Sequence, residues 1–382
     1  MKLCLVMPGA SGDGPVTGTA GVLRLCAIAA GDHGVEVVVA LPQSTPLHES
    51  IAPHCSEIET FHSASDKRDF GRNALPMHQL LRRHEPDIVH FHVPSFQWGL
   101  DAVLTAGLHR SVRVVRTEHN PLMSPPSRST APVLRAADRV VDEFVYVSAG
   151  NRRRYEELLS WRSDGTVVTN SVDTELMDAW CADREDPAAL RARFDLPDDA
   201  RVAVFVAGSW NLDDEAGRRP LMPVLEAMAL VGDRSWHLLV IGDGPRDEAQ
   251  RAADGLGVGN RVTFVGVVPD AAPITIAADL LVSASHYEGC SISYLEAWYA
   301  GVPILVAEVD GVEDVTGPDD MSSLTFDRSD AARFAELWDR AADPDSDLRR
   351  ANARATETVR ERFTDERFKD EMWSVYERHD TT

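Results

Sequence analysis

The stretch that decides the reading runs from His286 to Val306, HYEGCSISYLEAWYAGVPILV. It sets two carboxylates, Glu288 and Glu296, eight residues apart. Gly289 follows the first, and a short amphipathic helix carries the second. Ser291 or Ser293 suits the N-cap, Gly301 the C-terminal stop, and Pro303 the position beyond it. Val302 to Ala307 reads as a buried strand. In its loop, Glu288 can accept hydrogen bonds from sugar hydroxyls. The backbone N–H groups of Gly289, Cys290 and Ser291 stand at a helix start, which favours an anion. Glu296 lies about two turns further, offset by roughly 80° on an ideal helix. It can meet a second pair of hydroxyls, such as those of a ribose. Hydrogen bonds to a charged acceptor contribute about 1.5–3 kcal/mol each, enough to select a polyol. The same residues also fit a purely structural part: Ser293-x-x-Glu296 has the spacing of a capping box, and Glu288 that of a solvated loop residue.

Outward from this stretch, strand and helix signals alternate. Leu3 to Met7, Val35 to Leu41, Ile88 to Val93, Val112 to Thr117 and Phe144 to Ser148 read as strands. A Gly-rich loop, Pro8 to Gly21, follows the first, and helices are expected over Ala20 to Ala30 and Met77 to His84. A second series has strands at Arg201 to Ala207, Trp236 to Ile241, Arg261 to Val265, Leu280 to Ala284 and Val302 to Ala307. Repeated βα units predict parallel, doubly wound sheets, and 382 residues suffice for two such domains. Ligands of such sheets bind beyond the carboxyl ends of the strands.

Composition narrows the partners. A net charge of −23 opposes nucleic acid, and it opposes stable docking on an anionic membrane. No stretch approaches the roughly 20 apolar residues of a membrane span. Five scattered cysteines form no pairing or zinc pattern, as expected in a reducing cytoplasm. Only three lysines occur, Lys2, Lys67 and Lys369, so a phosphate-binding cation in the middle of the chain must be Arg or His. No metal-ligand spacing is present, and no Ser-His-Asp or Cys-His pattern rises above chance.

The pattern E-G-x-S-x-x-x-L-E-A-x-x-x-G-V-P-I, from Glu288 to Ile304, resembles the Glu-x7-Glu signature of retaining glycosyltransferases of family 4. The resemblance implies a GT-B fold, two doubly wound Rossmann-like domains facing a cleft. Residues 1–173 would form the acceptor-binding domain, with the helix 365–382 packing back on it. Residues 174–364 would form the nucleotide-sugar domain. Ile241-Gly242-Asp243-Gly244-Pro245 matches the family's G-x-G-P loop, where glycines let backbone approach a ligand. Arg261 to Gly266, with Val265, matches the strand that lies beside the nucleotide base. Gly18 matches the second of two loop glycines and is the expected diphosphate contact at a helix start, although Thr17 replaces the first. His119 stands where the family has a histidine near the transferred sugar, free to take either protonation state near neutrality.

One segment departs from the family. Where Gly-Arg and then Lys-Gly are usual, Gly208 is followed by Ser209. The loop is longer by five residues and acidic at Asp213, Asp214 and Glu215, and it ends in Arg218, Arg219 and Pro220. Either arginine is expected to hold the diphosphate, Arg219 first. The resemblance thus implies a retaining transferase without metal or other cofactor. It would use UDP- or GDP-sugar and a small polar acceptor, and Glu288 and Ser293 would line the sugar and phosphate site. Front-face displacement, with the leaving phosphate deprotonating the acceptor, is the implied route. A catalytically impaired nucleotide-sugar-binding or regulatory protein is the alternative. Base, sugar, acceptor and oligomeric state are left open by the residues.

Overall fold

The computed structural model describes residues 1–8, 18–42, 45–62, 70–93, 97–162, 165–212 and 219–378. Asp213 to Glu215, Arg218 and Thr17 therefore lie outside the described residues. The chain divides into two compact units. One holds Met1–Asn170 with Asp365–Thr382, and the other holds Ser171–Thr364.

The first unit is built on seven parallel strands: β1 (Lys2–Val6), β2 (Glu36–Pro42), β3 (Glu57–Phe61), β4 (Ile88–Val93), β5 (Arg113–Glu118), β6 (Glu143–Tyr146) and β7 (Thr166–Val167). Their order is β3-β2-β1-β4-β5-β6-β7. Central strands such as β4, IVHFHV, are buried at every position, because helices cover both faces of a parallel sheet. The C-terminal helix Asp365–Glu377 belongs to this unit. Phe368, Met372, Val375 and Tyr376 are buried along one side of it. Trp373 stacks on His33, with ring centroids 3.9 Å apart. Arg367 donates to the carbonyls of Thr169 and Asn170 at 2.8 and 3.2 Å, which fixes the helix start.

The second unit has six parallel strands: β8 (Arg201–Ser209), β9 (Trp236–Asp243), β10 (Val262–Gly266), β11 (Leu280–Ser283), β12 (Ile304–Ala307) and β13 (Thr325–Phe326). The order is β10-β9-β8-β11-β12-β13. Both sheets repeat one Rossmann-like order, which reverses between the first and fourth strand of each series. Ligand sites of this topology gather where neighbouring strands send their connections to opposite sides. In the second unit that point lies between β8 and β11, so the segments after Ser209 and Ser283 converge there.

Three strands are absent from the sequence reading. β3, EIETF, is an edge strand whose glutamates break the apolar run. β7 and β13 have two residues each, too short to show a period.

Candidate active site

At the reversal point of the second unit, Asn211 and Leu212, just after β8, are bonded to the residues that open the next helix. The N–H of Leu221 donates to Asn211 O and that of Met222 to Leu212 O, both at 2.9 Å. This closed base holds Arg219 beside the loop after β11. Arg219 Nε donates to Glu288 Oε1 at 3.0 Å, and Nη2 donates to Oε2 at 3.2 Å. Ser285 Oγ donates to Glu288 Oε1 at 3.0 Å and also meets Ser283 Oγ at 3.0 Å. Glu288 is buried, whereas the Arg219 side chain keeps 35% of its surface exposed. The adjacent Glu288 carboxylate raises the Arg219 pKa further above its ordinary value. The two residues expected to grip sugar and diphosphate separately are therefore one bidentate pair. Three of the five guanidinium N–H donors remain without a protein partner among the described residues.

The helix Ile292–Tyr299 starts directly after Glu288 to Ser291. Ser291 is its N-cap residue, but its side chain makes no cap bond and instead meets Ser293 Oγ at 3.1 Å. Ser293 is thus inside the helix, and the expected capping box with Glu296 does not form. The first-turn N–H groups are left without a side-chain cap, as at an anion-binding helix end. Gly289 and Cys290 are buried in the lead-in, where Gly311 packs on them. A Cβ on Gly311, at φ +85°, would stand 2.4 Å from Gly289 O. Glu296 is half-buried, and burial followed by the charge of Asp270 pushes its carboxyl up to about 8. Tyr294 Oη is buried near Ser283 and Ser285 without a well-formed hydrogen bond, and its pKa is raised by burial and by Glu288.

Gly242 and Gly244 have a local explanation. Gly242 adopts φ +120°, and a Cβ there would lie 1.6 Å from Ala207 O. A Cβ on Gly244 would lie 2.3 Å from the Trp210 ring. The close approach expected toward a ligand is thus an approach to the chain's own β8 end. Trp210 is buried and stacks on Phe264 with centroids 5.8 Å apart. Val265 sits where the β9–β10 register slips between Phe264 and Gly266. A bulged residue is left out of the ladder, so its backbone groups are available on an edge strand.

In the first unit, Gly18 is exposed and opens the helix Gly18–Asp32. His119 follows β5 and is buried, its N–H donating to Val93 O at 3.2 Å. Burial pushes its pKa down to about 3, so the ring is neutral near pH 7 and does not take either state there. Beneath it lies a buried network that sequence reasoning missed. Glu118 accepts from Arg162 Nη1 at 2.7 Å and Tyr155 Oη at 3.0 Å, and pairs with Arg116 at 3.1 Å. Arg162 also forks onto Asp138 and lies over the Phe144 ring at 4.0 Å. This network ties β5 to the segment 138–162 and fixes the strand end that carries His119. Its only trace in the sequence is an Arg and a Glu inside a buried strand.

Two groups of possible metal ligands occur among the described residues: Cys26, His90 and His92, and Glu57, Glu59 and His84. In the first, both His90 nitrogens already have partners, and burial pushes the Cys26 thiol up to about 12. In the second, Glu59 is held by Arg83 and by His84.

Two doubly wound parallel-sheet units of this strand order have the GT-B architecture. Residues 16–176 match Glycosyltransferase Family 4, and residues 214–343 match Glycosyl transferases group 1. The chain belongs to the family 4 glycosyltransferases. It is 28% identical over 234 residues to the lipopolysaccharide core biosynthesis glycosyltransferase LpsE of Rhizobium meliloti, covering 61% of this chain and 63% of that protein. It is 27% identical over 296 residues to the D-inositol 3-phosphate glycosyltransferase of Mycolicibacterium smegmatis, covering 71% and 64%. The matches thus span just under two thirds of these relatives' own lengths. Anabaena Alr3699/HepE, solved in complex with UDP, has a similar fold, with a TM-score of 0.78 at 16% identity over 99% of this chain and 100% of that one. No helix of the described residues is long and apolar enough to cross a membrane.

Proposed function

We propose that this protein is a retaining glycosyltransferase that moves a sugar from a nucleoside diphosphate sugar, UDP-linked by preference, to a small polar acceptor. The observation that carries the proposal is the Arg219–Glu288 pair at the uncapped start of Ile292–Tyr299. Arg219 turns its remaining N–H donors, together with the helix N–H groups, to the diphosphate. Glu288, oriented by Ser285 and Arg219, keeps lone pairs for sugar hydroxyls. Glu296 takes the ribose hydroxyls, and the bulge at Val265 meets the base edge. His119 donates to the transferred sugar or the leaving phosphate. The anomeric C–O bond to the diphosphate breaks, and the acceptor oxygen bonds to the same face. The acceptor proton passes to the departing phosphate oxygen. No metal enters these steps. UDP is supported by Alr3699/HepE, solved with UDP-glucose. A polar acceptor is supported by the inositol phosphate relative, and one away from anionic membranes by the net charge of −23.

The test is nucleotide release from a panel of UDP- and GDP-sugars, with inositol phosphates and glycan acceptors, with and without a chelator. The expected result is acceptor-dependent UDP release that the chelator leaves unchanged, and a product with the anomeric configuration of the donor. An inverted product refutes the retaining route, and loss of activity restored by Mg²⁺ refutes metal independence. Donor-induced thermal stabilisation without release to any acceptor or to water supports a binding protein instead.

A further inference from the structure

Alternate residues of a strand share one face, and β4 places His90 and His92 on one side. Thr117 and His119 stand beside them, from β5 and the residue after it. The side chains form a buried row. His90 Nδ1 meets Tyr376 Oη at 2.7 Å, and its Nε2 meets Thr117 Oγ1 at 2.7 Å. The His92 ring lies against that of His90, with centroids 4.1 Å apart. His92 Nδ1 then meets His119 Nε2 at 3.1 Å. At the ends of this contact, His92 Nε2 is buried without a hydrogen-bond partner, and His119 Nδ1 has none among the described residues.

Two neutral arrangements satisfy the 3.1 Å contact. If His119 donates from Nε2, His92 accepts at Nδ1 and must carry its own proton on Nε2, a buried N–H with no acceptor. If His92 donates from Nδ1, its buried Nε2 is only a bare lone pair, and the remaining N–H falls on His119 Nδ1, which is not sealed from solvent as His92 Nε2 is. An unpaired buried N–H costs about 1–3 kcal/mol, and orphaned donors are rarer than under-used acceptors. The second arrangement therefore prevails.

We propose that His92 is a positioning residue that fixes His119 as the Nδ1–H tautomer, so that His119 presents an N–H donor and no basic nitrogen to the substrate. This rests on the reading that His119 serves the donor sugar or its phosphate. It deepens that reading: a ring locked this way donates a hydrogen bond, and the acceptor's proton must go to the leaving phosphate. Protonating His119 would set an Nε2–H against the His92 Nδ1–H and force His92 into the unfavourable tautomer. Burial acts in the same direction, since it lowers the pKa of both rings.

The experiment is nitrogen-15 NMR of the histidine rings in the full chain, with the His119 signals assigned by subtraction of the His119→Asn spectrum. The expected wild-type state is Nδ1–H, kept in His92→Asn, whose amide can donate from nearly the same place. In His92→Leu the His119 ring should move toward Nε2–H. Turnover should fall about tenfold to a hundredfold, by analogy with the outer hydrogen bonds that orient a metal-bound imidazole. Donor KM should stay nearly constant, and His92→Asn should restore most of kcat. His119→Asn, with its amide near the Nδ1 position, should keep more activity than His119→Gln. A wild-type Nε2–H ring overturns the proposal, as does a His92→Leu protein with an unchanged His119 tautomer and kcat. If no transfer occurs with any acceptor, the glycosyltransferase reading fails, and the NMR result alone decides the tautomer.

Discussion

Donor binding should tighten steeply with pH, because the carboxyl assigned to the ribose is protonated in the unliganded protein. Burial, reinforced by the Asp270 charge, raises the Glu296 pKa from 4.5 to about 8. A ribose diol donates two hydrogen bonds and needs a carboxylate to accept both, so binding requires the proton to leave. At pH 7 about one molecule in eleven is ionised, a penalty of about 1.4 kcal/mol. The ionised fraction rises about ninetyfold between pH 6 and pH 9, and donor affinity should rise with it. The same shift has a stability consequence of opposite sign. The folded, unliganded protein holds a proton that the unfolded chain releases. Glu296 thus contributes stability that is complete below its ordinary value of 4.5 and is lost as pH climbs through about 8.

Isothermal titration with the intact donor measures this, since a diphosphate diester has no group titrating between these limits and the nucleobase N–H begins to ionise only at the upper one. In buffers of differing ionisation enthalpy, wild-type protein at pH 7 should release nearly one proton per donor bound. Glu296→Gln should bind more weakly at high pH and show no slope. Asp270→Asn should move the midpoint to lower pH, because it removes the second cause of the shift. A wild-type affinity that is flat from about pH 6 to 9, or a Glu296→Gln protein with the wild-type slope, refutes the assignment of this carboxylate to the donor.

Arg219→Ala should weaken donor binding by about 1.5–3 kcal/mol, the value for hydrogen bonds to a charged group, read as a rise in donor Kd. Arg219→Lys should recover only part, because a point charge cannot span both Glu288 oxygens and a phosphate. Arg162→Met should destabilise the protein by about 3–5 kcal/mol in urea unfolding, since it leaves Glu118 and Asp138 short of a buried partner.

Much of the fold was legible because a parallel sheet covered on both faces demands unbroken apolar strands, and nearly every such run became one. β3 was hidden by Glu57 and Glu59, which an edge strand tolerates. The Glu288-to-Pro303 stretch was legible because loop, helix and strand are contiguous there. The pairing of Arg219 with Glu288 was not, since it joins residues 69 apart in sequence that meet only because β8 and β11 are neighbours. The Gly242 turn shows the converse. Its sequence signal was sound, but the neighbour that forbids a Cβ is Ala207 O, a carbonyl of the chain itself. The state of His119 was misjudged because a ring's titration depends on what buries it, and His92 is supplied by another strand.

In the proposed reaction, the pairing of Arg219 with Glu288 changes how a diphosphate would be held and released. Two separate cations that face the phosphates attract the leaving group before and after bond cleavage, and their pull grows only with the charge on the phosphate. Here Glu288 neutralises Arg219 until the donor arrives, and the uncapped helix start adds about half a positive charge. As the anomeric bond breaks, negative charge grows on the phosphate oxygen and positive charge grows on the sugar. Arg219 can then lean toward the phosphate while Glu288, partly released, faces the developing cation. Both interactions strengthen in the transition state more than in the ground state, and only such differences accelerate the chemical step. In the proposed reaction, the described residues of the site would gain from the coupling of one arginine to one carboxylate.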